Sequence, residues 1–87
     1  MEKENFKTLG FDVEFTDTFG GEANYSWCRR AKIQVEPWIS DRALMRRAKK
    51  AIGLTNVRGR SFWNGSANEF RPYKSCTVMF ITTQYGL

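Results

Sequence analysis

Ser40-Asp41-Arg42-Ala43-Leu44-Met45-Arg46-Arg47-Ala48-Lys49-Lys50-Ala51-Ile52-Gly53 is the stretch on which the reading of the fold turns. Ser40 suits an N-cap, because a hydroxyl can accept from a free amide of the first turn. Asp41 adds negative charge at the positive end of the helix dipole. At ~100° per residue, Leu44, Met45, Ala48, Ala51 and Ile52 gather within about 120° of one another, so a helix over 40–52 carries one apolar stripe. Gly53 supplies a left-handed cap, and Leu54 can pack back on the last turn. Arg42, Arg46, Lys49 and Lys50 fall on the opposite side. Such a helix needs one apolar surface to lie on.

The flanking sequence offers strands for that surface. Residues 1–10 are polar and read as a loose lead-in ending at Gly10. Phe11, Val13 and Phe15 then alternate with Asp12, Glu14 and Thr16, the period of a half-buried strand. Asp17 to Asn24, with Gly20-Gly21, reads as a loop. From Ser26 to Val35, Trp27, Ala31, Ile33 and Val35 share one face, and Cys28, Arg30, Lys32 and Gln34 share the other. Arg29 is a misfit on the apolar side, expected at the sheet rim. Pro37 ends this strand.

Downstream, Val57 to Trp63 predicts a third strand. Asn64-Gly65 suits a type I′ hairpin, in which both turn residues have positive φ. Ala67 to Arg71 predicts a fourth strand, broken at Pro72 and followed by a corner at Tyr73-Lys74-Ser75. Cys76 to Thr83 predicts the last. Its centre, Val78-Met79-Phe80-Ile81, is apolar at every position, which places it inside the sheet. The order is β-β-α-β-β-β: a single α+β domain over 1–87, with an antiparallel sheet of about five strands and one helix packed on one face.

The sheet face away from the helix is expected to gather Arg30 and Lys32 with Arg58, Arg60 and Phe62. Asp12 and Glu14 share that side if the first two strands pair. Cross-strand ion pairs would then neutralise part of the patch while stabilising by only ~0.2–1 kcal/mol each.

Composition narrows the function. Eighty-seven residues with 41% hydrophobic and 15% aromatic content suit one folded domain rather than a disordered chain. Residues 1–22 hold six acids against two lysines, and residues 23–87 hold twelve Lys/Arg against three acids. An acidic end on a basic body, with a pI near 9.6, points to a charged partner. No membrane span or secretory signal is legible, so the cytoplasm is the expected compartment. The chain contains no histidine, and neither a nucleophile elbow nor a phosphate-binding glycine loop, so no catalysis and no cofactor are expected. Cys28 and Cys76 are too few for a zinc site and read as buried free thiols. Asp12, Glu14 and Asp17 could in principle hold Mg²⁺, but outward acids on a strand are the simpler reading, and no metal is expected.

Two binding classes are left. Arg42, Arg46, Lys49, Lys50, Arg58 and Arg60 could displace counterions from phosphates, and Trp27, Phe62, Trp63 or Tyr73 could stack bases if exposed. Against this, basic helix faces are often only solvated, and no established nucleic-acid-binding motif accompanies the charge. For a protein partner, Trp38, Ile39 and Trp63 sit where exposure is expected, although the simpler reading is that the tryptophans complete a small core.

The segment from Asp41 to Thr55, continued by Asn56-Val57-Arg58-Gly59-Arg60, resembles small accessory proteins of bacteriophages and prophages, as does Arg71-Pro72-Tyr73-Lys74-Ser75-Cys76-Thr77-Val78-Met79-Phe80-Ile81. The resemblance covers about half the chain, its motifs are structural, and it carries over no functional residue. It implies a setting: a non-catalytic factor, of the anti-CRISPR or anti-restriction type, that binds and inhibits a nucleic-acid-dependent defence complex of the host. The partner would be a host protein or nucleoprotein complex, or DNA or RNA itself. Many such inhibitors are acidic mimics of DNA. A net charge of +5 departs from that pattern and points instead to a protein groove, to use of the acidic N-terminal part, or to direct contact with guide RNA or DNA.

Overall fold

The computed structural model describes residues 8–64 and 67–83. The order is β1 (Leu9–Phe19), β2 (Glu22–Val35), α1 (Asp41–Ile52), β3 (Gly59–Asn64), β4 (Ala67–Pro72) and β5 (Thr77–Thr83). The strands form one antiparallel sheet in the order β2-β1-β5-β4-β3. The α+β class, the element order and the central place of the all-apolar last strand are as the sequence predicts.

Helix α1 begins where its cap dictates, with the Ser40 hydroxyl accepting from the Ala43 amide at 3.1 Å. It ends at Gly53, with φ of 89°. Leu44, Met45, Ala48 and Ile52 are buried, and Leu54 folds back into the same core. Ala51, counted in the apolar stripe, is exposed. The helix packs on Val13, Phe15, Val35, Phe70, Met79 and Ile81 from the facing side of the sheet.

The first hairpin differs from expectation. Gly20 and Gly21, at φ of 64° and 88°, form a two-residue turn, so β1 and β2 run almost to the tip where a loop over Asp17 to Asn24 was expected. Paired positive-φ residues match the right-handed twist of the flanking strands, which is why such a short turn suffices. The irregularity is displaced into the strands. Thr16 pairs with Cys28 and Thr18 with Ala23, so Asp17 alone faces residues 24–27. Its carboxylate fills the bulge, accepting from the Ser26 amide (2.9 Å), the Ser26 hydroxyl (2.6 Å) and the Asn24 amide group (2.9 Å).

Arg29 is exposed on β2, an edge strand, as a rim position requires. Its guanidinium donates to the Ile52 carbonyl at 3.0 Å and lies 5.8 Å from the Phe15 ring centroid. It therefore satisfies an end carbonyl of α1 and places positive charge at the negative end of the helix dipole. Strand β3 starts at Gly59 rather than Val57, because residues 54–57 close a turn in which the Val57 amide donates to the Leu54 carbonyl. Gly59 runs so close to β4 that a Cβ there would lie 2.3 Å from the Arg71 carbonyl oxygen. Leu9 and Gly10 belong to β1 rather than to a loose lead-in; residues 1–7, and Gly65 of the expected Asn64-Gly65 hairpin turn, lie outside the described residues. Both cysteines are free, but Cys28 is only half-buried and Cys76 is exposed, which corrects the expectation that they are interior.

Candidate functional site

A helix laid chiefly over β2 and β1 leaves β3, at the opposite edge of the sheet, without cover, and a groove runs between α1 and β3. The register sets its wall. Val13 pairs with Ile81, Ile81 with Asn68 and Asn68 with Trp63, so Trp63 stands on the helix side, whereas Phe62 stands on the reverse. Two adjoining hollows make up the groove. One, of about 430 Å³, is lined by Asp41, Arg42, Met45, Arg46, Lys49, Ser61 and Trp63. The other, of about 630 Å³, continues over Val57, Arg58, Gly59, Phe70 and Tyr73. Both share Met45, Lys49 and Ser61.

The charges in this groove are of two kinds. Arg42, Arg46 and Arg58 are exposed and form no ion pair among the described residues. Lys49 is different, and its expected role as an outward cation is corrected. Its ammonium donates to the Val57 carbonyl at 2.6 Å and sits 4.3 Å from the Phe70 ring centroid. Burial holds its pKa below the usual lysine value, since desolvation penalises the charged form. Lys49 builds the floor and ties α1 to the loop ahead of β3. Lys50, exposed, lies on the outward side of the helix, beside a separate hollow shared with Glu36, Ile39 and Arg46.

The residues expected on the sheet face away from the helix are there, Arg58 excepted. Arg30 and Lys32 lie on the far face of the sheet, and both are already paired: Arg30 with Glu14 at 3.0 Å and Lys32 with Asp12 at 3.1 Å. Tyr25 also donates to Glu14, at 2.8 Å, and this raises the tyrosine pKa by favouring its protonated form. A hollow of about 600 Å³ on that face, between Glu14, Arg30 and Phe80, is lined largely by these pairs. Arg60 and Phe62 are exposed on the same face, so Arg58 and Arg60 do not act together as a single sheet patch. The three acids considered for a cation are occupied by lysine, arginine and the bulge. Among the described residues, no group of three or more Cys, Asp or Glu is placed to hold a metal.

Tyr73, one of the rings the sequence offered for stacking, stands in the groove. It is 57% exposed, and the corner after Pro72 fixes it through its amide, which donates to the Arg58 carbonyl at 3.0 Å. Trp63, 41% exposed, stands at the other hollow. The turn at Pro72-Tyr73 was legible, but its contact with Arg58 depends on the pairing of β3 with β4. The arrangement can neutralise an anion along its length and offer flat apolar faces beside it. Among the described residues, no helix is long and apolar enough to cross a membrane. Comparison with protein-family models, curated proteins and solved structures finds no match to this chain.

Proposed function

We propose that the protein is a non-catalytic binding module that holds nucleic acid in the α1–β3 groove. The observation that carries this reading is the combination in one groove of Arg42, Arg46 and Arg58, unpaired among the described residues, with the exposed rings of Trp63 and Tyr73. Cations supply the counterion-release part of such binding, and aromatic faces supply sequence-tolerant contact with bases. The resemblance to phage accessory proteins supports a host setting, in which the nucleic acid belongs to a nucleic-acid-dependent defence complex that the bound protein blocks. Trp38, 67% exposed in the turn before α1, favours protein contact with such a complex, since tryptophan is enriched where interfaces concentrate their energy.

Fluorescence anisotropy with labelled oligonucleotides at several salt concentrations tests the core of the proposal. Affinity is expected to fall log-linearly with salt, with a slope of at least about −2 for three phosphate contacts. Arg42→Ala, Arg46→Ala and Arg58→Ala should each reduce that slope by about 0.7–0.9. Flat titrations at low salt would reject nucleic-acid binding. Pull-down from a bacterial lysate tests the setting: a single stoichiometric nucleoprotein supports it, and recovery of bulk RNA and ribosomes alone counts against it.

A further inference from the structure

The groove repeats one unit twice. At one end, Arg42 and Arg46 line the same hollow as Trp63; at the other, Arg58 lines the same hollow as Tyr73. Between them Met45, the buried Phe70 and Lys49 form the floor, with the Lys49 ammonium bonded to the Val57 carbonyl and lying over the Phe70 ring. A duplex keeps the faces of its bases stacked on one another and offers the surroundings only phosphates and base edges. Two exposed rings, each beside a cation, have nothing to stack on in such a ligand. A single strand presents both the phosphate and the flat base that each unit is shaped to receive.

Building on the nucleic-acid reading, we infer that the groove takes single-stranded nucleic acid, with one base stacked on Trp63 and another on Tyr73, and excludes the duplex. Arg42, Arg46 and Arg58 then pair with the backbone beside those bases. The uncharged amide and aliphatic hydroxyl side chains that would recognise base edges are few: Ser61, common to both hollows, and Asn56 in the second. The strand is therefore held with little sequence preference.

The test uses the full-length protein and three labelled probes: a 12-nucleotide oligothymidylate, a 12-base-pair duplex, and a 12-unit abasic strand with the same phosphates and no bases. The oligothymidylate is expected to bind at least tenfold tighter than either of the other two. Trp63→Ala and Tyr73→Ala should each weaken it roughly five- to hundredfold, the range for loss of one stacked base. Neither variant should change binding of the abasic strand. Trp63→Phe keeps a ring and should retain most of the affinity, which separates stacking from damage to the fold. Equal affinity for the strand and the abasic probe, or tighter binding of the duplex, overturns the inference. If the arginine variants still weaken binding in that case, the groove is a phosphate-binding surface and the broader proposal stands. No binding of any probe removes both.

Discussion

Asp17 shows how much local structure one carboxylate can hold. It stands alone opposite residues 24–27 and accepts three hydrogen bonds from Asn24 and Ser26. Bonds of this kind favour the ionised form, and with the Ser26 hydroxyl as the largest cause they hold its pKa far below the usual carboxylate range. The sign of the linkage follows. A depressed folded-state pKa contributes stability that is fully present above the unfolded value, about 3.9 for an aspartate. That contribution is lost as the pH falls from there towards the folded value. Asp17→Asn is therefore expected to lower the melting temperature at pH 7 and to flatten its decline below about pH 4. Melting curves between pH 2 and 7 read both effects, and an unchanged acid limb would show that the bulge owes nothing to the charge. The sequence displayed Asp17 as one more outward acid, because a bulge depends on how two strands slip past one another and leaves no periodic mark on either.

At the scale of elements, helix α1 was legible in nearly every detail. Cap, stripe and stop are written within a single turn of the residues they govern: Ser40 bonds the Ala43 amide, and the i to i+4 spacing alone decides which side chains share a face. The two side chains that tie the helix to the rest of the fold were not legible in the same way. Arg29 looked misplaced on an apolar strand face and instead caps the Ile52 carbonyl. Arg29→Met keeps the packed stem but removes that donor, and is expected to cost about 1 kcal/mol in urea unfolding. A loss confined to the last turn, seen as faster amide exchange at residues 50–53, would place the effect at the cap. Lys49 was grouped with the exterior because it is polar, yet it sits at the flank where α1 meets the loop ahead of β3. A helical wheel ranks positions by angle and carries no information on which flank meets a neighbour.

Across the whole molecule the sheet separates two electrostatic situations. The face away from α1 carries the Glu14–Arg30 and Asp12–Lys32 pairs, whereas the groove beside α1 keeps arginines that are unpaired among the described residues. Glu14→Gln leaves Arg30 without its carboxylate on the face opposite the groove. It should change stability by no more than about 1 kcal/mol, as expected of an exposed pair, and should alter oligonucleotide affinity less than about twofold. A tenfold gain in affinity would move the binding surface to the far face of the sheet. Of the residues expected on the sheet face away from the helix, Arg30, Lys32, Arg60 and Phe62 do lie there, whereas Arg58 lines the groove that Arg42, Arg46 and Trp63 also line.

The chain alone settles what depends on neighbours a few residues apart: a capped amphipathic helix, alternating strands, and an all-apolar last strand that has to lie inside the sheet. The α+β class follows, because one apolar stripe and one set of half-apolar strands can bury themselves only against each other. Strand order and register were decided by tertiary structure. They leave β3 uncovered beside α1, bring Trp63 beside Arg42 and Arg46, separate Arg58 from Arg60, and join Tyr73 to Arg58. Those outcomes arise from pairings between segments far apart in the chain, and the choice among such pairings rests on the packing of the entire core rather than on any one segment's pattern.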